Sequence, residues 1–299
     1  MLYNKNMGNK VSLSVSIVIP NWNGIELLKK HLPAVIKNSD GARIIIVDDH
    51  STDDSVSYLE RNFSDILVVR KDRHEGFAST VNAGVQEANT DIVVLLNTDI
   101  EPEKGFLQPL LSHFSDSTVF AVGCMDKSME KGEIVLRGRG IGWWEKGFYI
   151  HKRGEVDKND TAWVSGGSGA FRRSMWNELG GMDTFFNPFY WEDIDLSYRA
   201  VKKGYIILFE PKSIVQHYHE EGNIKKEFTK KEVDRIAFRN QFFFIWKHVP
   251  VFQLILGFIW FPIRLFKNAI GKDKSMIWGF FQAIRFFPVI CMHRLFKHL

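Results

Sequence analysis

Ile92-Val93-Val94-Leu95-Leu96 runs directly into Asn97-Thr98-Asp99, and the fold is read outward from this junction. A stretch that is apolar at every position fits a strand covered on both faces, as the strands of parallel sheets are. In open α/β sheets ligands bind outside the carboxyl ends of such strands, so Asp99 falls on a binding rim. Ile44-Ile45-Ile46-Val47 brings Asp48-Asp49 to the same rim, and Val15-Ser16-Ile17-Val18-Ile19 brings Pro20-Asn21-Trp22-Asn23. Solvated loop acids would account readily for one such strand end and much less readily for all three. A cation together with a phosphate-bearing ligand is the economical reading.

Between these strands the periodicity turns helical. Glu26 to Lys37 carries Leu28, Leu32, Val35 and Ile36 on one stripe. Ser51 and Asp54 form an S-x-x-D pattern that predicts a capped helix through Leu59 to Asn62. Ile66 to Arg70 reads as a strand, Phe77 to Ala88 as a helix, Glu103 to Phe114 as a helix and Val119 to Met125 as a strand. The β-α-β-α-β succession predicts a mostly parallel, helix-covered sheet with right-handed crossovers.

From Asp126 to His219 the pattern is less regular. Gly138-Arg139-Gly140-Ile141-Gly142 lacks the strand-then-helix setting of a dinucleotide loop and runs into Trp143-Trp144. Ser165-Gly166-Gly167-Ser168-Gly169-Ala170 lets the backbone approach a ligand closely or turn sharply. Ser174 is expected to cap a short helix that stops at Gly180-Gly181. In Phe189-Tyr190-Trp191-Glu192-Asp193-Ile194-Asp195, the acids crowd the first turn of a helix with Leu196, Ala200 and Val201 on its apolar face. The helix macrodipole favours negative charge there. Pro188 and the aromatics before the acids also suggest a pocket wall with a carboxylate at its lip, where partial desolvation makes a better general base. His217 and His219 share one face of an extended segment. With an Asp on the same rim, one of the two becomes a metal-ligand candidate.

The chain has 299 residues and a formal charge of +4, enough for one large domain or two small ones. Cys124 and Cys291 lie far apart with no zinc or CxxC spacing, which fits a reducing compartment. Met1 to Lys10 is polar, and the apolar stretch after Lys10 reads as a first strand, not a signal peptide. After about Lys225 the chain concentrates Lys, Arg, Phe and Trp. Helical residues from about Thr229 to Lys247 are followed by Val249 to Ile263, apolar but interrupted by Pro250 and Pro262, and by Met276 to Leu295. No uninterrupted span is expected to cross a bilayer, so these segments predict amphipathic helices at a membrane surface. Packing on the catalytic domain or a dimer contact is the plainer alternative, and a buried transmembrane hairpin is a third reading. Nucleic acid is excluded as a partner, because the basic aromatic tail lacks a stacking-platform motif.

Val18-Ile19-Pro20-Asn21-Trp22-Asn23-Gly24, Val47-Asp48-Asp49-His50-Ser51-Thr52-Asp53, Gly76-Phe77-Ala78 with Asn82 and Gly84, Leu96-Asn97-Thr98-Asp99 and Trp191-Glu192-Asp193 resemble the successive motifs of family 2 inverting glycosyltransferases. The resemblance covers roughly residues 14 to 220. The NxD form and the His beyond the Glu-Asp pair are similar to the rhamnosyl- and galactofuranosyltransferase-like branch. It implies an α/β GT-A (Rossmann-like) catalytic domain over 1–225, with a nucleotide-sugar half at about 14–125 and an acceptor half at about 126–225. Residues 226–299 would form the helical, membrane-associated extension.

The resemblance implies roles residue by residue. Pro20, Asn23, Glu26, Asp49, Asn97 and Asp99 would bind the nucleotide sugar, Asp49 accepting from the base. Asp99 and His217 would hold a divalent cation, Mg²⁺ or Mn²⁺. Asp193 would be the catalytic base, and Gly166, Gly167, Trp191 and Glu192 would touch the acceptor. Asn97 departs from the acid found in many members and removes one charged ligand. The implied activity is transfer of a sugar from a nucleotide-diphosphate donor to a hydroxyl of a polysaccharide or lipid-linked acceptor, with inversion. The expected setting is bacterial cell-surface polysaccharide synthesis, on the cytoplasmic, inner face of the plasma membrane. A catalytically inactive nucleotide-sugar-binding or scaffold protein is the alternative, and a homo-oligomer is compatible with either.

Overall fold

A computed structural model describes residues 13–130, 132–218, 221–271 and 273–296. The chain runs β1 (Val15–Asn21), α1 (Ile25–Asn38), β2 (Arg43–Asp48), α2 (Ser55–Asn62), β3 (Leu67–Arg70), α3 (Phe77–Glu87), β4 (Ile92–Leu96), β5 (Ile100–Pro102) and α4 (Leu107–His113). It continues through β6 (Val119–Glu130), β7 (Glu133–Arg137), β8 (Gly140–Glu145), β9 (Phe148–Arg153), β10 (Ser168–Arg172), α5 (Arg173–Leu179), α6 (Glu192–Lys202) and β11 (Ile206–His217). Four helices come last: α7 (Asn223–Glu227), α8 (Lys230–His248), α9 (Val251–Ile270), then α10 (Ser275–Ile284) and α11 (Phe287–Phe296).

Among the described residues, nine strands form one sheet in the order β3-β2-β1-β4-β10-β6-β11-β5, with β7 beside β6. β4 lies between β1, to which it is parallel, and β10, which is antiparallel. Its side chains alternate as a strand requires. Ile92, Val94 and Leu96 enter one core with Leu28, Leu32 and Leu110, while Val93 and Leu95 enter the other with Val81, Val85 and Leu196. Both faces are covered, and all five β4 residues are fully buried. The predicted parallel α/β sheet is therefore present, with antiparallel members at β10, β5 and β7.

Several local expectations change. Ser51 does not cap α2, which starts at Ser55. Its hydroxyl instead donates to Asp48 at 2.6 Å and accepts from the Asn23 amide at 2.8 Å, tying the β1 and β2 loops together. Ser174 lies inside α5, whose N-cap is Arg172, although Gly180 does end that helix in the left-handed region. The segment from Glu103 forms a helix only from Leu107, because Ile100–Pro102 pairs with β11 as β5. Val201 faces solvent, leaving Leu196 and Ala200 to pack. His219 lies outside the described residues.

The largest correction concerns the tail. Thr229 and Glu232 form a capping box that starts α8. That helix does not lie on the surface: Phe242, Phe243, Phe244 and Ile245 are buried in a third core with Phe148, Tyr149, Trp191 and Ile194. A division at 225/226 therefore cuts through one continuous core. Pro250 sits at the α9 N-cap, where its carbonyl accepts from the Leu254 amide and no N–H is needed, and Pro262 is carried within the helix at the loss of one backbone bond. α9 thus runs for 20 residues, and among the described residues it is the helix long and apolar enough to cross a membrane, by length and composition alone. The expectation that no span reaches that length is overturned.

Candidate active site

The strand ends do converge. One cleft is lined by Pro20, Asn21 and Trp22 after β1, Asp49 after β2, and Asn97, Thr98 and Asp99 after β4. His74, Gly76, Phe77 and Thr80 at the start of α3, Pro188 to Tyr190, His217, Lys225 and Phe228 complete it. The two acids after β2 divide their work. Asp48 is turned inward and accepts from Asn21 at 2.8 Å and from Ser51, while Asp49 faces the cleft. The Asp49 carboxylate accepts from Lys71 Nζ at 2.7 Å and the Gly76 amide at 2.7 Å, and pairs with His74 Nδ1 at 2.8 Å. His74 in turn stacks on Trp22 with ring centroids 4.2 Å apart. Gly76 is required here. Its φ is +93°, and a Cβ would come within 2.8 Å of Pro188 Cα.

Asp99 and His217 meet at the floor, with Nε2 3.4 Å from Oδ1. On the other side of the ring, Nδ1 lies 2.8 Å from Asp126 Oδ2. Burial opposes the imidazolium charge, but hydrogen bonds and attraction from Asp126 and Asp99 outweigh it and raise the His217 pKa to about 9. A carboxylate that orients a histidine through its far nitrogen is the arrangement of a metal ligand with its supporting partner. Among the described residues no three His, Cys, Asp or Glu side chains form a ready cation cage. The mixed oxygen and imidazole pair fits Mg²⁺ or Mn²⁺ with positions left for ligand oxygens, and the fit is better for Mn²⁺, which takes imidazole more readily. Asp126 was not legible as a site residue. It sits mid-strand in β6, and only the β6–β11 pairing puts it beside His217.

Asn97 supports the floor without a charge. Its backbone N–H donates to Gly167 O at 3.0 Å, and a Cβ on Gly167 would come within 2.6 Å of the Asn97 side chain. The Gly166 amide points at Asp193 Oδ2, 3.4 Å away, and the Ile194 amide donates to Oδ1 at 2.8 Å. Gly166 and Gly167 thus join the Asn97 floor to the Asp193 carboxylate through backbone alone.

α6 separates its three acids by environment. Desolvation raises the Asp193 pKa against the help of the Ile194 and Gly166 amides. Desolvation, reinforced by the Asp193 charge, pushes Glu192 well above the usual carboxylate range, and its Oε2 is buried with no partner among the described residues. Asp195 is the opposite case. Burial would raise it, but Lys247, Arg199 and His248 hold it well below the usual range. Arg199 Nε lies 2.7 Å from Oδ2, while His248 Nε2 and Lys247 Nζ lie 2.7 Å and 3.2 Å from Oδ1. Asp195 is therefore a structural anion, whereas Asp193 has no cation beside it among the described residues and does not line the cleft.

The turn that aims α6 is held in an unusual backbone state. Tyr190 and Trp191 have φ of +71° and +78°, rare for bulky residues. Asn240 of α8 secures it, its Nδ2 donating to the carbonyls of Phe186, Phe189 and Tyr190 at 2.6, 2.9 and 2.9 Å. Backbone strain of this kind persists only where the surroundings fix it, and it concentrates at functional sites.

Some predicted residues do not line the cleft, among them Gly166, Gly167, Glu192 and Asp193. Glu26 stands on the outer face of α1 and pairs with Lys29, its side chain 74 % exposed. Asn23, with φ of +49°, uses its side chain to accept from the Thr52 amide and locks the loop. Trp191 is buried against His151 and Phe244, so its ring belongs to the third core. Trp22, His74, Phe77 and Lys225 are lining residues without an assigned role in the sequence reading, while Tyr190 lines the cleft as the expected pocket wall. Trp22 lies inside the first of the five motifs, whereas Lys225 sits in the five-residue α7, which has no distinguishing pattern.

The family model for glycosyl transferase family 2 matches residues 16–180. A pre-mycofactocin glycosyltransferase of Mycobacterium tuberculosis is 29 % identical over 217 residues, covering 69 % of this chain and 43 % of that protein. The O-antigen chain rhamnosyltransferase WbaN of Salmonella anatum is 26 % identical over 215 residues, covering 69 % and 66 %. The chain thus spans less than half of the mycobacterial relative it matches. Among solved structures, GalNAc-T7 with UDP, GalNAc and Mn²⁺ shares the fold at a TM-score of 0.67 and 20 % identity, covering 99 % of this chain and 59 % of the other. The GT-A-like architecture expected from the motifs is borne out.

Proposed function

The chain belongs to glycosyl transferase family 2, and from that premise we propose that it transfers a sugar from a nucleotide-diphosphate donor to an acceptor hydroxyl with inversion at the anomeric carbon. One observation carries the reading. Asp99 and His217, delivered by different strands, meet at 3.4 Å in the same cleft that Asp49 lines. In this reading the Trp22–His74 stack and Asp49 receive the nucleoside, and Lys225 meets the diphosphate. Asp99 and His217 would hold a divalent cation, which when bound neutralises charge on the departing diphosphate. The UDP and Mn²⁺ held by GalNAc-T7 support that part of the reading.

Asp193 takes the proton of the acceptor hydroxyl onto its carboxylate as the oxygen attacks. The bond from the anomeric carbon to the diphosphate oxygen breaks as the new glycosidic bond forms, so configuration inverts in one displacement. Burial makes Asp193 a stronger base than an exposed aspartate, and the Gly166 and Ile194 amides fix its direction. The rhamnosyltransferase relative, named for an O-antigen chain, supports a polysaccharide acceptor; a lipid-linked form of it and action at the inner face of the plasma membrane are part of the proposal. A thermal-shift screen of UDP-, dTDP- and GDP-sugars with Mn²⁺, followed by donor hydrolysis, tests the reading. A metal-dependent rise in melting temperature with one donor, and its hydrolysis, is expected. No shift and no hydrolysis with any donor would overturn it.

A further inference from the structure

α9 is fastened along one side and bare along the other. Gln253 Oε1 accepts from the Gly147 amide at 3.0 Å, and a Cβ on Gly147 would come within 2.3 Å of Gly257 Cα. Lys146 Nζ lies 4.2 Å from the Trp260 ring centroid, and the Arg264 guanidinium lies 4.2 Å from that of Phe148. At ~100° per residue, positions 253, 257, 260 and 264 fall on one helix face. Val251, Ile255, Phe258, Phe266 and Ile270 fall on the opposite face and are 58–75 % exposed. The usual amphipathic arrangement is inverted, with polar and cationic groups turned towards the protein and the apolar stripe towards the surroundings. Isolated apolar side chains on a surface are ordinary, but a contiguous stripe along a 20-residue helix marks an interaction face.

Charge selects the occupant. From residue 235 to residue 272 the sequence contains no Asp or Glu, while Arg264 and Lys267 lie within α9 itself. A second copy docked across a two-fold axis would bring these same cations together. An anionic lipid surface covers the apolar stripe, and the exposed Lys267 beside it reaches the headgroups while Arg264 stays against Phe148. The fastening also decides the orientation. A helix bound to the β8–β9 turn at four successive positions cannot be surrounded by lipid, so its length does not make it a span.

We propose that α9 is a membrane-docking helix that lies in the plane of an anionic bilayer surface, with Val251, Ile255, Phe258, Phe266 and Ile270 inserted among the acyl chains. The proposal stands on the α9 surface alone and does not depend on the reaction assigned to the cleft. The test is flotation of the full chain with vesicles of phosphatidylglycerol and phosphatidylcholine, beside the exposed-face variant I255E/F258E. The full chain should float, more strongly with phosphatidylglycerol than without it, and alkaline carbonate should release it. I255E/F258E should lower the partition coefficient at least ~10-fold with an unchanged melting temperature and unchanged donor hydrolysis in solution. If I255E/F258E unfolds, the milder exposed-face variant F258S/F266S replaces it, and unchanged flotation of that folded variant overturns the proposal. Failure of the intact chain to float, resistance to carbonate, or a solution dimer that I255E/F258E dissociates would each overturn it. Because hydrolysis is read separately from flotation, failure of the membrane proposal is distinguishable from failure of the catalytic one.

Discussion

Lys247→Met is the substitution that most directly probes how α8 supports the site. Asp195 is fully buried on α6, two residues beyond Asp193, and Lys247 and Arg199 are the cations around it, with His248 Nε2 2.7 Å away. Removing one partner of a buried pair costs about 3–5 kcal/mol when the remaining charge is left alone. Arg199 and His248 stay in contact with Asp195, so we expect about 2–3 kcal/mol, and methionine keeps most of the aliphatic packing. Asp195 has a pKa held well below its ordinary value of 3.8 in the folded protein. Its ion pairing therefore stabilises the fold fully above that ordinary value, and the contribution is lost as pH falls through the depressed folded value. Urea denaturation of the two proteins at pH 7, 5 and 3 should show a gap that is steady from 7 to 5 and narrows at 3. A gap below about 0.5 kcal/mol, or one that widens as pH falls, would refute the assignment of Asp195 as an ionised structural anion.

Asp193→Asn should leave donor binding nearly intact and lower turnover at least ~10²-fold; near-normal turnover would move the base to Glu192, since Asp195 is already committed to its cations. Because desolvation raises the Asp193 pKa, the acid limb of kcat against pH should lie above the ordinary carboxylate range, and a limb at or below that range would contradict a buried base. Asp99→Ala and His217→Ala should each weaken Mn²⁺-dependent donor binding measured by calorimetry, whereas full activity of the intact enzyme in chelator would sink the metal reading.

The parts legible in the sequence were those where one physical signal dominated. β4 is apolar at every position because both its faces are covered, and the acids following β2 and β4 reach the cleft because the strands are parallel. Asp99 and His217 could be singled out by residue type, but Asp126 could not, since its role comes from strand pairing. Glu26 and Trp191 were carried to the site by motif position, and packing sends both elsewhere. Glu26 faces outward on α1, and the Trp191 ring enters an aromatic core assembled from residues distant in sequence. The phenylalanines after 225 resembled a membrane surface as a group. The structure splits them between α8, where Phe242 to Phe244 are buried, and α9, where Phe252, Phe258 and Phe266 are exposed. Composition alone could not make that split, because the buried and exposed helices use the same residue types.

The Asp195 ion cluster also imposes an order on biosynthesis. Asp195 and His248 are separated by 53 positions, which take roughly 3–10 s to translate at ~5–20 residues per second. Until Lys247 and His248 have been made, α6 can bury Asp195 only with Arg199 beside it, so the helix that carries Asp193 has its full set of partners only once α8 is complete. The chain enters α9 within three residues of that point, at Val251. A nascent chain therefore completes the support of its catalytic helix and begins its docking helix at almost the same moment, and growing intermediates expose neither a finished active site nor the apolar stripe for long beforehand.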